Sequence, residues 1–211
     1  MIKQRLIAAR PAFKPAVMSM IIGVDEAGRG PLAGPVVAGA VWLGASTIAG
    51  LADSKKLSGK RRAVLEAAIM AEAHWAVGVV EADEIDRINI FAATMLAMTR
   101  AVAGLVAKVG VPALVLIDGN KTPEGRVADW CWPARAIVGG DATEPAISAA
   151  SIIAKEHRDR IMRDLALAHP HYGWDRNAGY GTAEHLAGLA AHGVTPHHRR
   201  SFGPVARLVA V

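Results

Sequence analysis

Short apolar runs, separated by longer stretches in which apolar residues recur every three or four positions, set the pattern of this chain. Met20–Val24 and Pro35–Leu43 predict two strands joined by a polar, glycine-rich connection, in the manner of a hairpin. Trp75–Glu81, Ala113–Ile117 and Ala134–Val138 add three further strand-like runs, the last closed by glycines. Helical spacing fills Gly59–Ala73, where Leu65, Ile69 and Met70 share one side, and Phe91–Val109 at greater length. A third helix is predicted over Ile147–Leu167, with Asp141 and Glu144 where a helix start belongs. Strands first and alternation afterwards imply a mixed α/β domain.

Beyond Pro170 the pattern changes to His, Gly, Tyr, Trp and Arg, with one short helix predicted around Ala183–Ala191. This part is too short and polar to build a core alone, so it is expected to pack on the main body. The division expected is a basic, flexible extension over 1–19, a main α/β core over 20–168 and a C-terminal segment over 169–211 packed on that core.

At 211 residues, 52% hydrophobic and 20% charged, the chain has material for one real core, which removes disorder as the main reading. Its single cysteine, Cys131, excludes an internal disulfide and a CxxC zinc site, and fits a reducing, cytoplasmic setting. No run of 18 apolar residues occurs, so a soluble chain, with no membrane partner and monomeric, is expected. A net charge of +5 is compatible with a polyanionic partner without requiring one. Residues 151–211 carry eight Lys/Arg against five Asp/Glu, which puts the basic side there.

The most informative feature is acids placed directly after apolar runs: Asp25 and Glu26, then Asp118, then Asp141. Carboxylates at neighbouring strand ends of an open α/β sheet converge on one cleft and repel each other unless a cation lies among them. Oxygen-only ligation favours Mg²⁺ or Mn²⁺ over Zn²⁺, and a pair of such ions roughly 3.5–4 Å apart is the common arrangement for in-line phosphodiester cleavage. Each acid taken singly also reads as a turn former or helix cap, and Asp141 with Glu144 resembles a capping pair. Asp25 and Glu26, being neighbours, share a ligand only if the strand ends or bends there, which Gly28 and Gly30 would permit.

Gly28-Arg29-Gly30 lets backbone amides approach a ligand closely, or is simply a glycine-rich turn. Tyr180, framed by Gly179 and Gly181, suits stacking on a sugar or base, with a packed turn tyrosine as the alternative. Asp53-Ser54-Lys55-Lys56 and His198-Arg199-Arg200-Ser201 hold phosphates or are solvated charge runs. The paired histidines lack a cysteine partner for zinc.

Taken together, Val24-Asp25-Glu26-Ala27-Gly28-Arg29-Gly30-Pro31-Leu32-Ala33-Gly34-Pro35 resembles the signature of the type II ribonuclease H family, ribonuclease HII. Asp53–Leu57, Ile85–Ile90, Leu116–Asn120, Ala149–Lys155, Gly179–Thr182 and His198–Phe202 follow in that family's order, so the resemblance spans about Met20 to Val205.

The resemblance implies a ribonuclease H-like fold, with a mixed central sheet, flanking helices and a helical C-terminal segment. It also implies cleavage of RNA in RNA–DNA hybrids and at single ribonucleotides embedded in duplex DNA, leaving 3′-hydroxyl and 5′-phosphate ends. Asp25, Glu26, Asp118 and Asp141 match the family's metal-binding acids. Gly28, Arg29 and Gly30 match the element that senses the 2′-hydroxyl, the one group that separates RNA from DNA at a nucleotide, and Tyr180 matches the stacking tyrosine. Ser54, Lys55, Lys56 and Arg199 are expected to meet the backbone phosphates. Gly139, Thr143 and Ala178 stand where the family commonly has lysine, a loss that Arg158 or Arg176 is expected to offset. The rival readings are a metal-dependent nuclease of ordinary DNA and a non-catalytic nucleic-acid-binding module.

Overall fold

The computed structural model describes residues 20–51 and 57–209. The 1–19 extension and the Ser54, Lys55 and Lys56 assignments lie outside the described residues. A five-stranded sheet is built from β1 (Ile21–Ala27), β2 (Val36–Trp42), β3 (His74–Val80), β4 (Leu114–Asp118) and β5 (Ala134–Ile137), in the order β3-β2-β1-β4-β5. β1 runs antiparallel to β2 and parallel to β4, which is parallel to β5, so the sheet is mixed. All five predicted strands are present, displaced by no more than a few residues at their ends.

Alternation along β1 assigns the two faces. Ile22 and Val24 turn to one side and pack with Met95, Met98, Val102 and Leu105 of α2 (Ala82–Val109). Gly23 lies against α4 (Pro145–Ala168), so closely that a Cβ there would come within 2.2 Å of the Ala146 carbonyl carbon. Gly39, the register partner of Asp25 on β2, admits α4 in the same way: its Cβ would lie 2.4 Å from the Ala150 oxygen. Glycines on adjacent strands therefore bring α4 hard against the sheet beneath Asp25. α1 (Gly59–Glu72) completes that layer through Leu65 and Ile69.

Two differences from the sequence reading matter. The helix expected from Phe91 is preceded by a helical stretch from Ala82 that the pattern did not show; Asn89, with φ 67 and ψ 162, divides the two, and its Oδ1 accepts from the amides of Phe91 and Ala92 at 3.0 and 3.1 Å, restarting the helix. This α2 is apolar and long enough by length and composition to cross a membrane, yet half of its most apolar window is buried against the sheet. In addition, Asp141 does not cap the helix that follows. It sits in its own short turn, α3 (Gly140–Thr143), while Glu144 occupies the N-cap of α4 without a side-chain cap bond.

After a 3₁₀ turn at Pro170–Tyr172 come α5 (Trp174–Asn177), α6 (Ala183–His192) and α7 (Gly203–Val209). Tyr172, Trp174, Leu189 and Val205 from this segment pack with Leu32, Ala33 and Met162. The loop after β1 is thus held between the sheet and the C-terminal segment.

Candidate active site

Asp25, Asp118 and Asp141 each place one carboxylate oxygen within 4.8 Å of the others. The arrangement follows from register. Val24 pairs with Ile117 on the parallel neighbour, so Asp25 and Asp118 stand side by side, and Asp118 pairs in turn with Ile137 on β5. Two residues on, Gly139 takes the left-handed conformation (φ 68) and turns the chain back, so that the Asp141 amide lies 3.3 Å from Asp118 Oδ1. Asp25 is only 4% exposed. Burial above all, then the charges of Glu26 and Asp118, push its carboxyl well above the ordinary carboxylate range, against the amide of Glu26 and the hydroxyl of Ser151, which favour the charged form. A buried, mutually repelling set of oxygens alone is a donor set that a hard divalent cation fits.

Glu26, one residue on, is not one of the three, but its charge acts on Asp25 and it lines two cavities. The larger, about 290 Å³, is lined by the Gly28–Gly30 loop, Ser151, Lys155, Arg158 and Tyr180. The smaller, about 140 Å³, also borders Asp118 and reaches Phe91 and Lys121. Arg29 borders both and approaches Glu26 at 3.4 Å.

Residues 22–205 match the family model described as Ribonuclease HII. A Ribonuclease HII of Novosphingobium aromaticivorans is 70% identical over 190 residues, 89% of this chain and 97% of that protein. The chain belongs to the ribonuclease HII family. Among solved structures, the ribonuclease H2 of Pyrococcus horikoshii superposes with a TM-score of 0.72 at 26% identity, covering 89% of this chain and 96% of that one. The Bst-RNase HIII structure in complex with Mn²⁺ has a TM-score of 0.76 at 20% identity, covering 93% and 73%, and shares the fold. Ribonuclease HII is a metal-dependent endonuclease family that acts on RNA–DNA substrates, and the three-carboxylate centre is the part of this chain suited to that chemistry.

In this ribonuclease HII chain the Gly28-Arg29-Gly30 loop and Tyr180, distant in sequence, face one cavity. A Cβ on Gly30 would lie 3.3 Å from Tyr180 Cε1, and the phenol is 52% exposed. Arg199 requires correction. It is 0% exposed and donates to the carbonyls of Gly34 and Arg29, both at 3.0 Å, and of Gly28, so it braces the loop from within and meets no phosphate. Burial and the neighbouring Arg158 lower its guanidinium to about 9, still charged at neutral pH. Arg158, expected to replace missing surface charge, is likewise buried and donates to Pro35, Ala33 and Ala178 carbonyls at 2.9, 3.1 and 3.0 Å. Arg176 is exposed but ion-paired with Asp175 and Glu184.

Ser151 and Lys155 were not singled out as site residues, although they lie in a stretch that carries the resemblance. Their spacing of four inside an apolar helix puts both on one face, and that is the signal that would have found them. Lys155 pairs with Asp159, which lies 3.8 Å from Arg62. Also unforeseen is a buried histidine chain. The indole nitrogen of Trp174 donates to His185 Nε2 at 3.1 Å, so His185 carries its proton on Nδ1 and donates to the Tyr180 carbonyl at 2.9 Å. The Thr195 amide donates to His198 Nδ1 at 3.0 Å, leaving His198 Nε2 to donate to His185 Nε2 at 3.0 Å. Both rings are therefore neutral.

Proposed function

We propose that this chain hydrolyses RNA in RNA–DNA hybrids and cuts at a single ribonucleotide embedded in duplex DNA, leaving 3′-hydroxyl and 5′-phosphate ends. The observation that carries this reading is the cavity that sets Tyr180 over Gly30 next to the Asp25–Asp118–Asp141 centre. A glycine loop facing an exposed phenol suits a ribose, whose 2′-hydroxyl both donates and accepts. Asp25, Asp118 and Asp141, together with Glu26, would hold the divalent ions, Mg²⁺ or Mn²⁺ by the oxygen character of the set. When bound, such ions supply Lewis-acid activation of the phosphate and of an attacking water. The protein's own part is to orient the strand. Amides of the Gly28–Gly30 loop and the Tyr180 hydroxyl engage the 2′-hydroxyl, while Lys155 and Lys121 supply phosphate charge where Gly139, Thr143 and Ala178 do not. The chain works in the cytoplasm, as a monomer and away from membranes.

Cleavage of a duplex carrying one ribonucleotide, beside its all-deoxy twin and a full RNA–DNA hybrid, tests this with Mg²⁺, with Mn²⁺ and with chelator. Incision at the ribonucleotide and in the hybrid only, dependent on either ion, is the expected result. Equal cutting of the all-deoxy duplex would convert the protein into a general nuclease, and chelator-insensitive binding with no product would leave it a binding module.

A further inference from the structure

The smaller cavity has features that reading a 2′-hydroxyl does not use. Its rim carries Lys121, and its wall carries Phe91, whose ring is 39% exposed. Buried Met95 and Met98 lie at its floor, and Glu26, Arg29, Asp118 and Asn120 complete its lining. Thr94 on the same floor commits its hydroxyl to the Ile90 carbonyl at 2.7 Å. An aromatic face, polar side chains around it and a cation together make a place for a nucleotide, with a base on the ring and a phosphate at the amine.

The backbone is strained to build it. Asn89, at φ 67 and ψ 162, occupies a region that is essentially reserved for glycine, and its side chain then caps the helix turn that carries Phe91. The helix on the other side of the kink is pinned in place. Asp86 accepts from the amides of Arg200 and Ser201 at 2.8 and 2.9 Å, immediately after the Arg199 that braces the Gly28–Gly30 loop. Phe91 is thus fixed relative to the same loop that borders the larger cavity.

We infer that the smaller cavity is the subsite for the nucleotide immediately 5′ of the cut, the one that departs with the 3′-hydroxyl, its base against Phe91 and its phosphate at Lys121. The assignment rests on the proposed cleavage site. With the ribonucleotide on the Tyr180 side of Glu26 and its 5′-phosphate at the carboxylates, a continuous strand carries the preceding nucleotide past Asp118 into this cavity.

The experiment pairs a substrate change with a protein change. Duplexes with one ribonucleotide are prepared with either a normal nucleotide or an abasic residue immediately 5′ to it, and cut by the wild type, F91A and K121A, with circular dichroism as a folding check. The wild type is expected to lose about tenfold in kcat/KM on the abasic duplex, within the range of one base–aromatic stack. F91A loses a similar factor on the normal duplex and nothing further on the abasic one. K121A raises KM with little change in kcat and lowers the salt dependence by about one phosphate contact. Independent, multiplying losses from F91A and the abasic residue would overturn the subsite, as would F91A coupling instead to an abasic residue 3′ of the ribonucleotide. A wild type that cuts no ribonucleotide-containing duplex would overturn the cleavage reading itself, a result readily told apart from the other two.

Discussion

His185 holds Tyr180 by its main chain, with Nδ1 2.9 Å from the tyrosine carbonyl, while the phenol ring itself stays half exposed beside Gly30. The reading surface is therefore set by buried groups that never reach the cavity. Arg199 does the same for the facing loop through the carbonyls of Gly28 and Arg29.

That histidine chain ties stability to pH. Burial, then the neighbouring His185, His169 and His197, lower His198 to about 3, against an ordinary value of 6.5. Between these values the unfolded chain binds the proton and the native one does not, so stability is complete above about pH 6.5 and falls as the pH drops towards 3. The limiting slope is about 1.4 kcal/mol per pH unit for one proton. Urea unfolding at pH 7.5, 5.5 and 4.5 measures it, and H198N is expected to flatten the dependence over that window.

Arg199→Lys keeps the charge but not the fork that reaches three carbonyls. A loss of about 1–3 kcal/mol in urea unfolding is expected from carbonyls left unpaired. Discrimination between ribonucleotide-containing and all-deoxy duplex is expected to weaken in the same variant, because the braced loop faces the ribose.

Gly28 and Gly30 separate backbone need from ligand need. Gly28 has φ 95, and a Cβ there would lie 2.0 Å from Arg158 Nε and 2.7 Å from the Pro35 oxygen, so G28A is expected to lose both stability and cleavage. Among the described residues, a Cβ on Gly30 would meet just the Tyr180 ring, at 3.3 Å. G30A is expected to fold with a melting temperature near wild type while cutting the single-ribonucleotide duplex at least about tenfold more slowly, since one misplaced contact at a reading surface costs on that order.

Asp25 predicts opposite signs for stability and activity. Its raised carboxyl means that the metal-free native state binds more protons than the unfolded chain, and its contribution to stability is lost as the pH rises from 3.8 through the folded value. D25N is therefore expected to melt higher than the wild type without metal at pH 7.5. Mg²⁺ or Mn²⁺ should raise the wild-type melting temperature and leave that of D25N much less changed. Cleavage by D25N is expected to fall by more than the roughly 10–100-fold that changes around a metal ligand cost, measured on the ribonucleotide-containing duplex.

Some of this was legible in the amino-acid order. Apolar runs such as Val115–Ile117 have few options but strands, and Asp118 does end its strand as expected, whereas Asp25 lies within β1, which continues to Ala27, and Asp141 lies in the turn beyond β5. What local pattern could not carry was anything set by long-range partners. The start near Phe91 was legible, but only the Asn89 Oδ1 contacts to the Phe91 and Ala92 amides show that this helix restarts from an earlier one. Arg199 sits in a basic run that reads as surface, and only the packing of the C-terminal segment against Leu32–Gly34 buries it. Asp25 and Glu26 are adjacent in the chain, yet only Asp25 joins the triad, while Glu26 lines both cavities. The sequence determined which chemical groups were present and which strands would carry them, because periodicity is local. The tertiary structure alone decided which of those groups meet, because burial and hydrogen-bond pairing depend on segments more than a hundred residues apart.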